Sequence, residues 1–88
     1  MIAVTLYTKP DCDLCRHARD ALDSLAAEFP HQLAEVSILD EPALFERYKD
    51  LIPVVIIGGL RLAYPFSELD LRAALMTASE LTAIHDSL

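Results

Sequence analysis

The sequence predicts an α/β fold of order βαβαββα, a four-stranded mixed sheet flanked by three helices. Three observations carry that expectation. A charge-free run rich in β-branched and aromatic residues, Ile2 to Tyr7, reads as a central strand buried on both faces. The helix that follows it leads into a second strand, and such a crossover needs a parallel pair joined right-handedly. Gly58-Gly59 stands between two apolar runs, which signals a tight antiparallel hairpin. A sheet that holds both kinds of pair is mixed.

After the first strand, Thr8-Lys9-Pro10-Asp11 interrupts the ladder, because Pro has no N–H to donate and pushes its predecessor out of the helical region. A helix follows over about 12–28. Leu14, Ala18, Leu22 (or Ala21), Leu25 and Phe29 recur at helical spacing, and Arg16–Asp20 and Arg19–Asp23 are i,i+4 pairs on its outer surface. Phe29-Pro30 ends it. Residues 33–39 read as the second strand. Asp40-Glu41-Pro42 reads as a helix start, with Pro in the first turn of a short amphipathic helix over 43–49 that carries Leu44, Phe45 and Tyr48. Pro53-Val54-Val55-Ile56-Ile57 is the strongest strand pattern, and 60–63 is its return strand. Ser67 and Asp70 have the spacing of a capping box, opening a last helix from Glu68 to about Ala78, with an extension through Leu81 and Ile84.

With 88 residues and 53% of them apolar, the chain is expected to form a single domain over 1–88 rather than a disordered tail. The net charge of −7 repels phosphate backbones, so nucleic acid is not expected as a partner. The apolar start is too short for a signal segment and no run approaches a membrane span, so no membrane partner is expected and the cytoplasm is the expected location. There thiols stay reduced, and a C-x-x-C pair points to redox chemistry or metal binding rather than to a structural bridge.

Both cysteines of the chain lie in Cys12-Asp13-Leu14-Cys15, where the first strand hands over to the first helix. A free thiol has a pKa of about 8.5, and the thiolate is the nucleophile. At a helix N-terminus the unpaired N–H groups and the helix dipole favour an anion, which lowers that pKa. Cys12 occupies this place and is the expected nucleophile. Cys15, one turn on, is on the same side of the helix and within disulfide reach, as a resolving thiol must be. Lys9 and Arg16 favour the Cys12 thiolate, whereas Asp11 and Asp13 oppose it, so a modest lowering is expected.

The segment Leu6-Tyr7-Thr8-Lys9-Pro10-Asp11-Cys12-Asp13-Leu14-Cys15 resembles the active-site approach of glutaredoxins and glutaredoxin-like redoxins. Ile52-Pro53-Val54 is similar to that family's second signature, a cis-proline opening the third strand beside the active site. The resemblance covers nearly the whole chain and implies the thioredoxin-like fold and a thiol–disulfide oxidoreductase. By that resemblance Cys12 is the nucleophile and Cys15 the resolver, with Lys9, Ile52 and Pro53 binding substrate. The backbone of Ile52 would pair with a bound thiol as an added strand. The implied partners are protein or small-molecule disulfides, with glutathione as a co-substrate and no resident cofactor or metal, in a monomer. The glutathione clamp is not matched: Asp13-Leu14 replaces Pro-Tyr between the cysteines, and Ala63-Tyr64-Pro65-Phe66-Ser67-Glu68 replaces the Gly-Gly and Asp that follow the fourth strand.

Two other classes compete. The same C-x-x-C could carry Cu(I) or Zn, or share an iron–sulfur cluster, since soft thiolates select these metals. Copper carriers, however, have the order βαββαβ and Met and Gly in their motif. The other class is a non-catalytic thioredoxin-fold binding module. His17 falls off the face shared by the cysteines and reads as a surface side chain. Tyr64-Pro65-Phe66 is expected at the active-site rim, as hydrophobic cover for the last helix or as a substrate groove.

Overall fold

Strand β1 (Ile2–Thr8) lies in the middle of the sheet, and every other element is arranged around it. The computed structural model describes residues 1–86, with side chains through Leu81. Helix α1 (Asp13–Leu25) crosses from β1 to β2 (His31–Ser37), which runs parallel to β1 in the register Val4–Leu33 and Leu6–Glu35. A short 3-10 turn (Ile38–Asp40) and α2 (Pro42–Tyr48) lead to β3 (Val54–Ile57), antiparallel to β1 on its other side. The hairpin then adds β4 (Leu60–Ala63) and α3 (Glu68–Asp86) follows, giving the order β2-β1-β3-β4. Gly58 turns the hairpin at φ 59°, a conformation that costs a glycine nothing.

The main core lies on one face of the sheet. Ile2, Val4 and Leu6 of β1 and Val55 and Ile57 of β3 meet the buried stripes of α1 and α3. The α1 stripe is Cys15, Ala18, Leu22 and Leu25, and that of α3 is Leu71, Ala74 and Leu75. Each fully buried Leu, Ile or Val contributes about 1.5–3 kcal/mol, so this layer supplies most of the driving force. Arg72 of α3 makes a bidentate pair with Glu28, just past α1, and lies 5.4 Å from the centre of the Phe29 ring. The Glu28 hydrogen bond holds the Arg72 guanidinium above its ordinary pKa.

On the opposite face a smaller cluster, Ile38, Tyr48 and Val54 with Tyr7, Leu44 and Ile52, forms where α2 docks. It covers only one end of the sheet. The expectation that β1 is buried on both faces therefore holds at Tyr7 but not at Ala3, which is exposed, because α2 covers only the Tyr7 end of the second face. Other local expectations also shift. The second strand begins two residues earlier than expected and ends at Ser37, since its pairing with β1 decides its extent. The expected i,i+4 ion pairs on α1 do not form. Arg16 turns back to Asp13, and Arg19 reaches Asp20 at 3.7 Å and Glu35 of β2 at 4.0 Å. Leu14, in the first turn of α1, is not buried but 43% exposed, and the buried stripe starts at Cys15.

The Ser67–Asp70 capping box is complete. The Ser67 N–H donates to Asp70 Oδ2 at 2.8 Å, and the Asp70 N–H donates to Ser67 Oγ at 3.1 Å. Helix α3 continues through Leu81 as expected, while the Ile84 side chain lies outside the described residues.

Candidate active site

The turn after β1 delivers Cys12 to the start of α1. Asp11 adopts φ 60°, a left-handed conformation that Asp tolerates better than most side chains. Cys12 is the N-cap, in extended conformation, and its carbonyl accepts the first helical hydrogen bond, from the Arg16 N–H at 3.1 Å. Its sulfur accepts from the Cys15 N–H, also at 3.1 Å. The two cysteines form a disulfide across this first turn, with Cα atoms 5.2 Å apart. They are not equivalent. Cys15 faces the core and is only 3% exposed, while Cys12, outside the buried stripe, is half-buried.

The charges around Cys12 partly cancel. Arg16, expected to support its thiolate, is bonded to Asp13, which was expected to oppose it. Lys9 is exposed and makes no ion pair among the described residues. It lines a polar cavity of about 440 Å³ on the β2 side of the disulfide, together with both cysteines, Arg19, Glu35 and Asp40. Sequence reasoning missed Arg19, Glu35 and Asp40. Arg19 follows Cys15 by one helical turn and could have been found from that spacing, whereas Glu35 and Asp40 carry no local signal, because only the parallel pairing of β2 with β1 brings that strand's end beside the motif.

On the other side of the motif is an apolar groove of about 250 Å³. Leu14 and Ala18 form one wall, the fully buried Pro53 part of the floor, and Tyr64 and Phe66 the other wall. The Ile52-Pro53 and Tyr64-Pro65 peptide bonds are both cis. The Ile52 N–H donates to the Tyr48 carbonyl at 3.1 Å and is thus engaged within the fold. Lys9 and Pro53 thus fall on opposite flanks of the cysteine pair. His17 is exposed at the groove, and Phe66 is half-buried, packing against the main core while lining the groove. Leu14 and Glu68 are groove residues that sequence reasoning passed over. Leu14 could have been found from its place between the cysteines.

As for a metal, the two thiols are the soft donors the site offers. Among the described residues no group of three or more His, Cys, Asp or Glu side chains is assembled. No helix there is long and apolar enough to cross a membrane.

A parallel β1–β2 pair, an antiparallel β3–β4 hairpin and a C-x-x-C disulfide capping α1 together define a thioredoxin-fold protein. Comparison with known proteins narrows the class. The sequence profile of the glutaredoxin-like domain (DUF836) matches residues 3–76, and the chain belongs to this family. The crystal structure of target protein XcR50 from X. campestris is similar, with 36% identity and a TM-score of 0.70 over 84% of this chain and 96% of that one. Protein Ne2328 from Nitrosomonas europaea shares 23% identity with a TM-score of 0.70, over 83% of this chain and 88% of its own. Thioredoxin 1 from Thermosipho africanus shares 16% with a TM-score of 0.71, over 92% and 98%. These last two likenesses are of fold alone. The family, the fold and the paired cysteines point to a redox function.

Proposed function

We propose that the protein is a dithiol–disulfide oxidoreductase in which Cys12 attacks and Cys15 resolves. The observation that carries this reading is the unequal burial of a disulfide at a helix start: Cys12 half-buried, Cys15 3% exposed. An incoming disulfide can reach the first sulfur and not the second. In the reduced protein the Cys12 thiolate attacks one sulfur of a substrate disulfide, forming a mixed disulfide as the substrate S–S bond breaks. The departing thiolate takes a proton from water. Cys15 then gives its proton to water and attacks Cys12 Sγ. The Cys12–Cys15 disulfide forms, and the second substrate thiolate leaves and is protonated. Two electrons pass to the substrate, and an external thiol or dithiol reductant returns them.

In this reading Pro53 floors the approach, the Ile52 carbonyl pairs with the backbone of a bound polypeptide, and Lys9 offers a cation to a substrate carboxylate. The substrates are protein or small-molecule disulfides, with glutathione as a candidate co-substrate and no resident cofactor. The protein acts as a cytoplasmic monomer. A glutathione redox titration, with alkylated species resolved by mass, tests the reading. The expected result is a Cys12–Cys15 disulfide that opens reversibly at about −270 to −200 mV. Thiols that stay reduced across that range, or a protein that purifies holding metal, would overturn it in favour of the metal-carrier alternative.

A further inference from the structure

The two flanks of the cysteine pair differ in chemistry, and the apolar groove combines three features. Its walls offer large apolar side chains to solvent: Leu14 is 43% exposed and Tyr64 46%, and the half-buried Phe66 packs against the core while lining the groove. Exposed area of this kind is unfavourable until something covers it. Next, the end of the groove formed by the start of α3 is acidic. Glu68 lines it, while Asp70 faces a separate cavity beside Arg61, and Arg72, one turn further on, is engaged by Glu28. Last, the polar groups of the capping box are turned on each other, the Ser67 N–H bonded to Asp70 Oδ2 and the Asp70 N–H to Ser67 Oγ. No Lys or Arg lines the groove; Lys9 and Arg16 line the polar cavity on the opposite flank.

An anionic ligand in this groove would meet the Glu68 carboxylate and no Lys or Arg. An apolar side chain would be covered on both sides, and a cation beyond it would meet Glu68. The chain as a whole carries a net charge of −7, which draws cationic partners toward it.

We propose, building on the oxidoreductase reading, that the groove selects polypeptide disulfides whose cysteine is flanked by a bulky apolar residue and then by Lys or Arg. It selects against glutathione disulfide, which has carboxylates at both ends and no apolar side chain. The redox step is the one described above; the groove decides which disulfide is brought in line with Cys12. Leu14 and Glu68 are the specificity-determining residues. Partial burial of a leucine side chain against the groove should favour it over glycine by about tenfold. The exposed Glu68 should favour a lysine over a glutamate by about threefold.

The test uses the full-length reduced protein and the symmetric disulfides of three capped peptides, Lys-Leu-Cys-Leu-Lys, Glu-Leu-Cys-Leu-Glu and Lys-Gly-Cys-Gly-Lys. Their palindromic sequences make the direction of binding immaterial. Glutathione disulfide and hydroxyethyl disulfide are measured beside them, and each rate is divided by that of free dithiothreitol with the same disulfide, which removes intrinsic reactivity. The expected order places the Lys-Leu peptide first and glutathione disulfide below it. Glu68→Lys should remove or invert the Lys-over-Glu ratio while keeping Leu over Gly, and Leu14→Ser should do the reverse. Equal normalised rates for the three peptides, or glutathione disulfide matching the Lys-Leu peptide, would overturn the selectivity and leave the oxidoreductase reading standing. Failure to reduce even hydroxyethyl disulfide would remove that reading, and this inference with it.

Discussion

The Cys15 backbone N–H donates to the Cys12 sulfur at 3.1 Å, across the first turn of α1. A donor aimed at sulfur stabilises a thiolate more than a thiol, and the helix start acts in the same direction. The reduced protein is therefore expected to alkylate at Cys12 with a midpoint below the ordinary thiol value of about 8.5. Cys12 should react well before the buried Cys15, as peptide mapping would show. Asp13→Asn, which releases Arg16 from its pair, should lower the midpoint further. A midpoint at or above the ordinary value would remove the electrostatic account.

Unequal exposure of the two sulfurs leads to a trapping prediction. Cys15→Ser should accumulate a stable mixed disulfide on Cys12 when offered a disulfide substrate, because nothing remains to resolve it. Cys12→Ser should accumulate none. Intact-mass measurement after brief exposure to hydroxyethyl disulfide distinguishes them, and an adduct on Cys15 in the second variant would reverse the assigned roles.

Stability should depend heavily on Tyr48. Its ring stacks on Tyr7 with centroids 4.7 Å apart, and it is only 5% exposed at the point where α2 covers the sheet. Tyr48→Ala should cost about 3–5 kcal/mol in urea unfolding, the usual range for a large buried aromatic. That approaches the whole stability of many small domains. Tyr7→Ala, at a half-buried position, should cost less.

The capping box supplies a smaller and more local effect. Ser67→Ala and Asp70→Ala each remove one of the two reciprocal bonds at the start of α3, at about 1 kcal/mol apiece. Chemical denaturation measures both. No change in either variant would mean that packing of Leu71 and Leu75, rather than the cap, sets where α3 begins.

Much of the fold was legible because its signals are local. Strand β4 occupies the expected residues 60–63, since Gly58-Gly59 dictates a two-residue turn. Pro42 starts α2 because its ring favours the first helical turn. The capping box was legible for the same reason. Errors came where a neighbour distant in sequence decides. Strand β2 was misplaced by two residues because its polar and apolar positions do not alternate cleanly, and its extent is set by pairing with β1. Leu14 was assigned to the buried stripe because helical spacing alone permits it there. It sits in the first turn of α1, however, past the end of the packed core, where it lines the open groove instead.

The sequence by itself determined the chemistry of the cysteine pair. A strand, a proline-containing turn and C-x-x-C at a helix start place Cys12 as N-cap and Cys15 one turn below it, all within a few residues where backbone geometry rules. Only the tertiary structure decided what surrounds that pair. The sheet order β2-β1-β3-β4 sets Glu35 and Asp40 on one flank and Pro53, Tyr64 and Phe66 on the other. These neighbours come together through hydrophobic burial, which has no preferred direction along the chain and leaves no local pattern to mark which side chains will face the disulfide.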